Sequence, residues 1–355
     1  MKKFLSLALS LLLVASAFSF TVSANAEVMK VFALTPNEDH GWTGSIATFA
    51  KQAVEEINAE GKYEAHLLTA GGPEEQIQQI EDILANNKAG EYAVAMLPYD
   101  DTVEAAVAQL MDAKIPVVMV DRIITSQADR AVANVKGDNE GTGAAAAWYM
   151  TNNGMKPGDR VYIVEGDSSS VNVARNDGFK NYLMGELAYA GAKIAAPWTQ
   201  DQVTAALTYS GVTGWSQAAA QGFFETLMSD AANADIKYIA SWDSGTALGV
   251  LDALSGSAID ENIKKAFLAN KPFIGGCSGH PELYALLSGT STDQAYLDIY
   301  NQLGGMMYTT YEPEMMYEGV KVLADYLYGK PVEQDFVIQT EVVTSENYQD
   351  FRPFY

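Results

Sequence analysis

The sequence holds one cysteine, Cys277, and three histidines, His40, His66 and His280, in 355 residues. A single thiol cannot close a disulfide within the chain, so stability must rest on the size of the apolar core. Basic side chains are scarce too, 22 against 45 acidic ones, for a formal net charge of −23. No Lys/Arg cluster reverses that sign locally, which excludes nucleic acid as a partner. Also missing are H-E-x-x-H, C-x-x-C, G-x-S-x-G, the phosphate loop G-x-x-x-x-G-K-[ST], and the calcium loop D-x-[DN]-x-[DN]-G. No metal, no cofactor and no catalytic residue are therefore expected. Acidic neighbours such as Glu55-Glu56 and Glu74-Glu75 diverge on a helix. They do not form the facing carboxylates that a glycosidase requires.

Long apolar runs are absent except for one. Lys2 and Lys3 precede an apolar stretch from Phe4 to about Phe20, and small residues ending in Ala24-Asn25-Ala26 follow it. This is the layout of a cleavable secretory signal over 1–26, leaving Glu27 first. Loss of Lys2 and Lys3 would take the charge from −23 to −25, two positive charges fewer. No cysteine stands at the cleavage point to carry a lipid anchor. A free protein outside the inner membrane is expected.

The remaining residues, rich in apolar side chains (48% of the chain), alternate short β-branched runs with amphipathic segments. Strands are expected at Val28–Thr35, Glu64–Ala70, Tyr92–Pro98 and Pro116–Asp121, with helices near 43–59, 73–88 and 102–113 between them. A second set follows: strands at Ala131–Gly137, Arg160–Asp167, Lys193–Trp198, Ile236–Asp243 and Phe273–Gly276, with helices near 139–153, 171–188, 214–230 and 244–254. A strand near Met306–Tyr311, a helix from about Pro313 to Gly329 and a strand near Phe336–Val343 complete the pattern. Alternating β and α units make parallel sheets covered on both faces. There are more strands than one ordinary doubly wound sheet carries, so two α/β lobes are expected, sharing a cleft.

Ligands of such sheets bind at the carboxyl ends of the strands, and polar or aromatic residues gather there: Asp39, His40 and Trp42, Asp121-Arg122, Trp198, and Trp242-Asp243, with Arg175 one short loop after a strand. Aromatic rings cover the apolar face of a sugar-like ring, while carboxylates and guanidinium groups bond its hydroxyls. The Gly275–His280 stretch offers Cys277 beside His280, read as a small buried thiol at a strand end rather than a nucleophile.

At these residues the chain resembles the type I periplasmic sugar-binding proteins, the ribose- and galactose-binding group that serves ABC importers. Ile115-Pro116-Val117-Val118-Met119-Val120-Asp121-Arg122 is similar to the family's "IPVV..DR" segment, and Gly137-Asp138-Asn139 with Gly143 to its "DN...G" hinge-helix start. Arg175-Asn176-Asp177-Gly178-Phe179 resembles "R..GF", and Ser241-Trp242-Asp243 with Ala247-Leu248-Gly249 resembles "ND...ALG". Tyr311-Glu312-Pro313 resembles a segment where the chain recrosses between lobes. The chain departs from the ribose binders at Trp242, at Ser278 in place of an aspartate, and at Asp39-His40-Gly41-Trp42.

The resemblance implies two doubly wound parallel-sheet lobes joined by a three-crossing hinge, with crossings near Gly137, Tyr311 and Val342. The lobes would be 27–137 plus 312–341, and 138–311 plus 342–355. It implies hydroxyl binding by Asp121, Arg122 and Arg175, ring stacking by Trp42 and Trp198, and a contact from Tyr311 on the crossing segment. The implied protein is a periplasmic monomer that is not an enzyme. It captures a monosaccharide and hands it to the membrane permease of an ABC importer, or presents it to a chemoreceptor or sensor kinase. An exported glycosidase is the alternative. Segments 255–271 and 289–305 look longer than in the smallest members.

Overall fold

In a computed structural model, residues 28–37 and 41–353 are described. The signal-peptide reading and the Asp39 and His40 assignments fall outside them.

The first half of the chain runs β1 (Lys30–Pro36), α1 (Gly41–Glu60), β2 (Glu64–Ala70), α2 (Pro73–Asn86), β3 (Tyr92–Met96), α3 (Glu104–Asp112), β4 (Val117–Val120) and β5 (Ala133–Gly137). It continues with α4 (Asn139–Asn152), β6 (Val161–Val164), α5 (Ser170–Leu183), α6 (Gln200–Ala206), β7 (Leu207–Tyr209), α7 (Gln217–Leu227), β8 (Tyr238–Ser241) and α8 (Ser244–Ser255). Last come α9 (Glu261–Ala269), β9 (Phe273–Cys277), α10 (Pro281–Ser288), α11 (Gln294–Tyr300), β10 (Gly305–Thr309), α12 (Met315–Leu327), β11 (Asp335–Ile338) and β12 (Val342–Val343). The two segments that looked long thus contain α9 and α11.

These strands form two six-stranded sheets, β2-β1-β3-β4-β5-β11 and β7-β6-β8-β9-β10-β12. The first is parallel throughout. In the second only β12 runs antiparallel, against β10. Central strands such as β3, β4 and β8 are buried along their whole length, as helices on both faces require. The chain passes between the sheets after β5, after β10 and after β11, because α12 packs on the first sheet and against α1. Apolar side chains of α12 (Met315, Met316, Val320 and Leu323) share one core with Val31, Ala33, Val118 and Val120.

Helix α2 follows from its sequence. Pro73 stands in the first turn, Glu74 and Glu75 sit at its positive end, and Ile80 and Ile83 are buried. Helices α4 and α5 touch through glycine. A Cβ at Gly143 would lie 2.0 Å from the Arg175 carbonyl oxygen, and one at Gly178 would lie 2.0 Å from that of Glu140. Backbone contact this close admits no side chain.

Three expectations need correction. Ala131–Gly137 supplies β5 of the first sheet rather than opening the second. The Phe336–Val343 run splits into β11 and β12, which belong to different sheets. Lys193–Trp198 is no strand: Pro197 has no N–H to give a ladder, and the sheet is instead entered by β7. The preceding α6 starts at a Thr199/Gln202 capping box.

Candidate functional site

The carboxyl ends of both sheets face a cavity of about 400 Å³. Trp42, Asp121 and Arg122 line it from the first lobe. From the second come Ser169 and Arg175 of the β6–α5 region, Trp215 to Ala218 after β7, Asp243 after β8, and Cys277, Ser278 and His280 after β9. Tyr311, on the crossing segment after β10, closes the set.

Asp121 sits where β4 ends. Its N–H donates to Val135 O at 2.8 Å, the Arg122 N–H donates to Val120 O at 2.8 Å, and the residue is held at φ 62°. A non-glycine residue at positive φ is strained, and such strain concentrates at functional sites. The turn buries the carboxylate to 6% exposure, where its Oδ1 accepts from the Tyr311 hydroxyl. Burial raises the Asp121 pKa, against the lowering pull of Arg122, Tyr311 and Arg175. Burial and the Asp121 carboxylate together push the Tyr311 phenol well above its ordinary value. The phenol therefore stays protonated and donates. Gly137 makes room for this ring, since a Cβ there would meet it at 2.2 Å.

Arg175 is 3% exposed. Its Nε donates to Asn139 Oδ1 at 2.9 Å, at the head of α4, and its Nη1 donates to the Trp242 carbonyl. The guanidinium carbon stands 4.3 Å from the centre of the Tyr311 ring and 5.6 Å from that of Trp215. Burial works against its charge, but Cys277, Tyr311, Asp121 and Asp243 raise its pKa. It remains a cation. Asp243 caps α8 through the Gly245 N–H at 2.7 Å. Burial raises its pKa, with that N–H and Arg175 opposing. The Cys277 thiol is buried and pushed up by that burial, which disfavours the thiolate a nucleophile needs.

Two rings flank the cavity. Trp42 donates from Nε1 to Tyr311 O at 3.1 Å, with its ring 5.4 Å from the Tyr311 ring. Trp215 follows a loop pinned by Thr213, whose hydroxyl donates to Glu165 O at 2.6 Å. Its indole lies against Gly166, where a Cβ would come within 2.1 Å.

The structure thus brings Trp42, Asp121, Arg122, Arg175, Asp243 and Tyr311 to one cavity. It does not bring Trp198 or Trp242 there. Trp198 is packed in the second-lobe core, its N–H donating to Leu183 O at 2.8 Å. With no strand ending at 198, nothing aims its ring at the cleft. Trp242 is 1% exposed; its Nε1 donates to Asn176 Oδ1 at 2.7 Å and its ring packs on Phe179. Alternation along the strand puts Trp242 into the core and the next residue, Asp243, at the cleft. Trp215 was missed, although a Thr-Gly-Trp turn after the short β-run Leu207–Tyr209 could have marked it. Among the described residues no group of three or more His, Cys, Asp or Glu is placed to hold a metal ion, and no helix is long and apolar enough to cross a membrane.

Two α/β lobes with matching sheets, connected by three crossings and walling a polar and aromatic cleft, define a two-lobed ligand-capturing protein. The chain belongs to the periplasmic binding protein family: residues 31–331 match the family described as "Periplasmic binding protein domain". No curated protein matches it significantly. Among solved structures, an ABC transporter solute-binding protein from Bacillus halodurans with bound myo-inositol gives a TM-score of 0.67 at 19% identity, covering 94% of this chain and 100% of the other. The Caulobacter myo-inositol binding protein bound to myo-inositol gives 0.68 at 16%, covering 93% and 97%. A glucose-galactose binding protein from Geobacillus stearothermophilus gives 0.65 at 17%, covering 91% and 99%. At these identities the likeness is one of fold. The solved proteins are binding proteins rather than enzymes.

Proposed function

We propose that this chain is an exported periplasmic binding protein that captures a monosaccharide between its lobes as a monomer and delivers it to the permease of an ABC importer. The lobes divide as 27–137 plus 312–341 and 138–311 plus 342–355, after a signal over 1–26. The carrying observation is the cluster Asp121–Tyr311–Arg175. One carboxylate from the first lobe and one guanidinium from the second are both braced by a tyrosine on the crossing segment.

Such an arrangement suits a neutral, hydroxyl-rich ligand. Asp121 and Asp243 accept from hydroxyls, Arg122 and Arg175 donate to them, and charge assistance strengthens each bond. Trp42 and Trp215 cover the apolar ring faces. Groups on both lobes contact the ligand only when the cleft is closed, and that differential affinity drives closure.

The test is a thermal-shift screen of residues 27–355, freed of bound ligand, against pentoses, hexoses, cyclitols, nucleosides and amino acids. A sugar at a hundredfold excess over its Kd should add about 2.7 kcal/mol of stability and raise the melting temperature by a few degrees. Arg175→Ala should weaken that sugar by about a hundredfold, through loss of charged hydrogen bonds and of the brace on Tyr311. A shift with nucleosides or amino acids and none with sugars would overturn the reading.

A further inference from the structure

Behind the charged hydroxyl readers, the head of α4 holds a side chain that touches one of them. Asn139 is half-buried and follows Gly137, where the chain passes between the sheets after β5. It shares a face of α4 with Gly143, one turn further on, and Gly143 lies against the Arg175 carbonyl of α5. Asn139 thus comes opposite the Arg175 side chain, whose Nε donates to Asn139 Oδ1 at 2.9 Å. The backbone around Asn139 is itself held. Asp138 caps α4 by accepting from the Gly141 N–H at 2.8 Å, and its own N–H donates at 3.0 Å to Ile338 O, where β11 ends and the chain crosses again. Two crossing segments therefore fix the place of the acceptor that Arg175 uses.

We propose that Asn139 is a positioning residue for sugar capture: its side-chain oxygen sets the plane of the Arg175 guanidinium, so that the cation that reads ligand hydroxyls is aligned by the crossing segments. The proposal rests on the sugar-binding reading of the cleft. A guanidinium is planar and carries five N–H groups in a fixed fork. Nη1 is committed to the Trp242 carbonyl, and a group held at one nitrogen can still swing about that bond. The second bond, at Nε, fixes the plane and with it the directions of the remaining donors. The Tyr311 ring stands 4.3 Å from the guanidinium carbon, but it offers a face rather than an acceptor and does not replace Asn139. Alignment before binding lessens the ordering that the ligand must impose, and this is how preorganisation contributes to affinity.

The probe is whichever of myo-inositol, D-galactose, D-fucose, D-allose or L-arabinose gives the largest thermal shift. Its Kd is measured by titration calorimetry for the wild type, Asn139→Ala, Asn139→Asp, Arg175→Ala and the double variant Asn139→Ala/Arg175→Ala, with unliganded melting temperatures as the folding control. Asn139→Ala should bind about three- to tenfold more weakly. Asn139→Asp keeps an acceptor of the same shape in the same place and should stay within about twofold of the wild type. Once Arg175 is gone, Asn139→Ala should cost less than about twofold more, the non-additivity expected of a residue that acts through another. Asn139→Gln, which carries its oxygen one carbon further, is the second disrupting variant and decides the matter if Asn139→Ala does not fold; it should weaken binding by a similar factor. Wild-type affinity in the disrupting variants, equal weakening in Asn139→Asp, or the same loss with and without Arg175 would each overturn the proposal while leaving the sugar-binding reading standing. Absence of binding by every probe in the wild type would overturn both.

Discussion

In the first lobe β4 runs into Asp121 at φ 62°, its N–H bonded to Val135 O of β5. In the second lobe β9 runs into Ser278 at φ 69°, its N–H bonded to Thr309 O of β10, and both bonds are 2.8 Å. The two lobes thus share one backbone device at equivalent places in equivalent sheets, and they put different chemistry on it. The first lobe carries its carboxylate on the strained turn itself and steadies it by hydrogen bonding to Tyr311. The second carries a neutral hydroxyl there and brings its cation in from a helix, positioned by the fit of Gly143 and Gly178. A cleft residue is held by electrostatics on one side and by steric fit on the other.

The steric side should break hardest. Gly178→Ala places a methyl group 2.0 Å from the Glu140 carbonyl oxygen, so α4 and α5 must separate. Denaturant unfolding should register a loss of about 3 kcal/mol, together with weakened sugar binding because Arg175 rides on α5. Unchanged stability would mean that the helix contact does not position Arg175.

Between the lobes, the crossing segment adds an electrostatic device of its own. Burial pushes Glu312 up to about 7, with Glu314 and Glu341 raising it further and Arg352 opposing. The folded protein keeps this proton at pH values where the unfolded chain, with its ordinary value of 4.5, has lost it. Stability should therefore fall as pH rises from about 4.5 to 7 and level off above that. Glu312→Gln should remove the slope and gain on the order of 2 kcal/mol at pH 8, allowing for partial screening. Thermal melts across that range would show whether the slope belongs to this residue.

The smallest effects sharpen the comparison most directly. Glycine relieves the backbone strain equally at both turns. Ser278→Gly also deletes an unpaired buried hydroxyl and should stabilise by about 0.5 kcal/mol. Asp121→Gly gives up the Tyr311 hydrogen bond and should destabilise by about 1 kcal/mol. Equal signs in urea unfolding would erase the distinction between the two turns.

What could be read from sequence follows from length and periodicity. β1, β3 and β4 are apolar runs bounded by turns, so Asp121, Arg122 and Trp42 were placed at strand ends from the rule alone. β7 has three residues, too few for an alternation to register, while Lys193–Trp198 imitates a strand in composition. The stacking role that the resemblance implied for Trp198 falls on a residue the core absorbs, and the missed β7 hid Trp215. At β8 the error was a single residue: side chains alternate, and the end of the strand decides whether Trp242 or Asp243 meets the cleft. The bracing of Asp121 by Tyr311 joins residues 190 positions apart, a pairing that no local pattern announces.

The order in which the chain is made gives the crossings another meaning. The first lobe lays down β1 to β5 early, yet its core is covered by α12 and its sheet is finished by β11. The second lobe waits for β12 in the same way. Each lobe therefore closes its core only after nearly the whole polypeptide exists, and long-range pairing of this kind slows folding. A ribosome-bound or translocating chain would stay open until its last two strands emerge, and a truncation at residue 330 would leave two unfinished lobes rather than one finished and one lost.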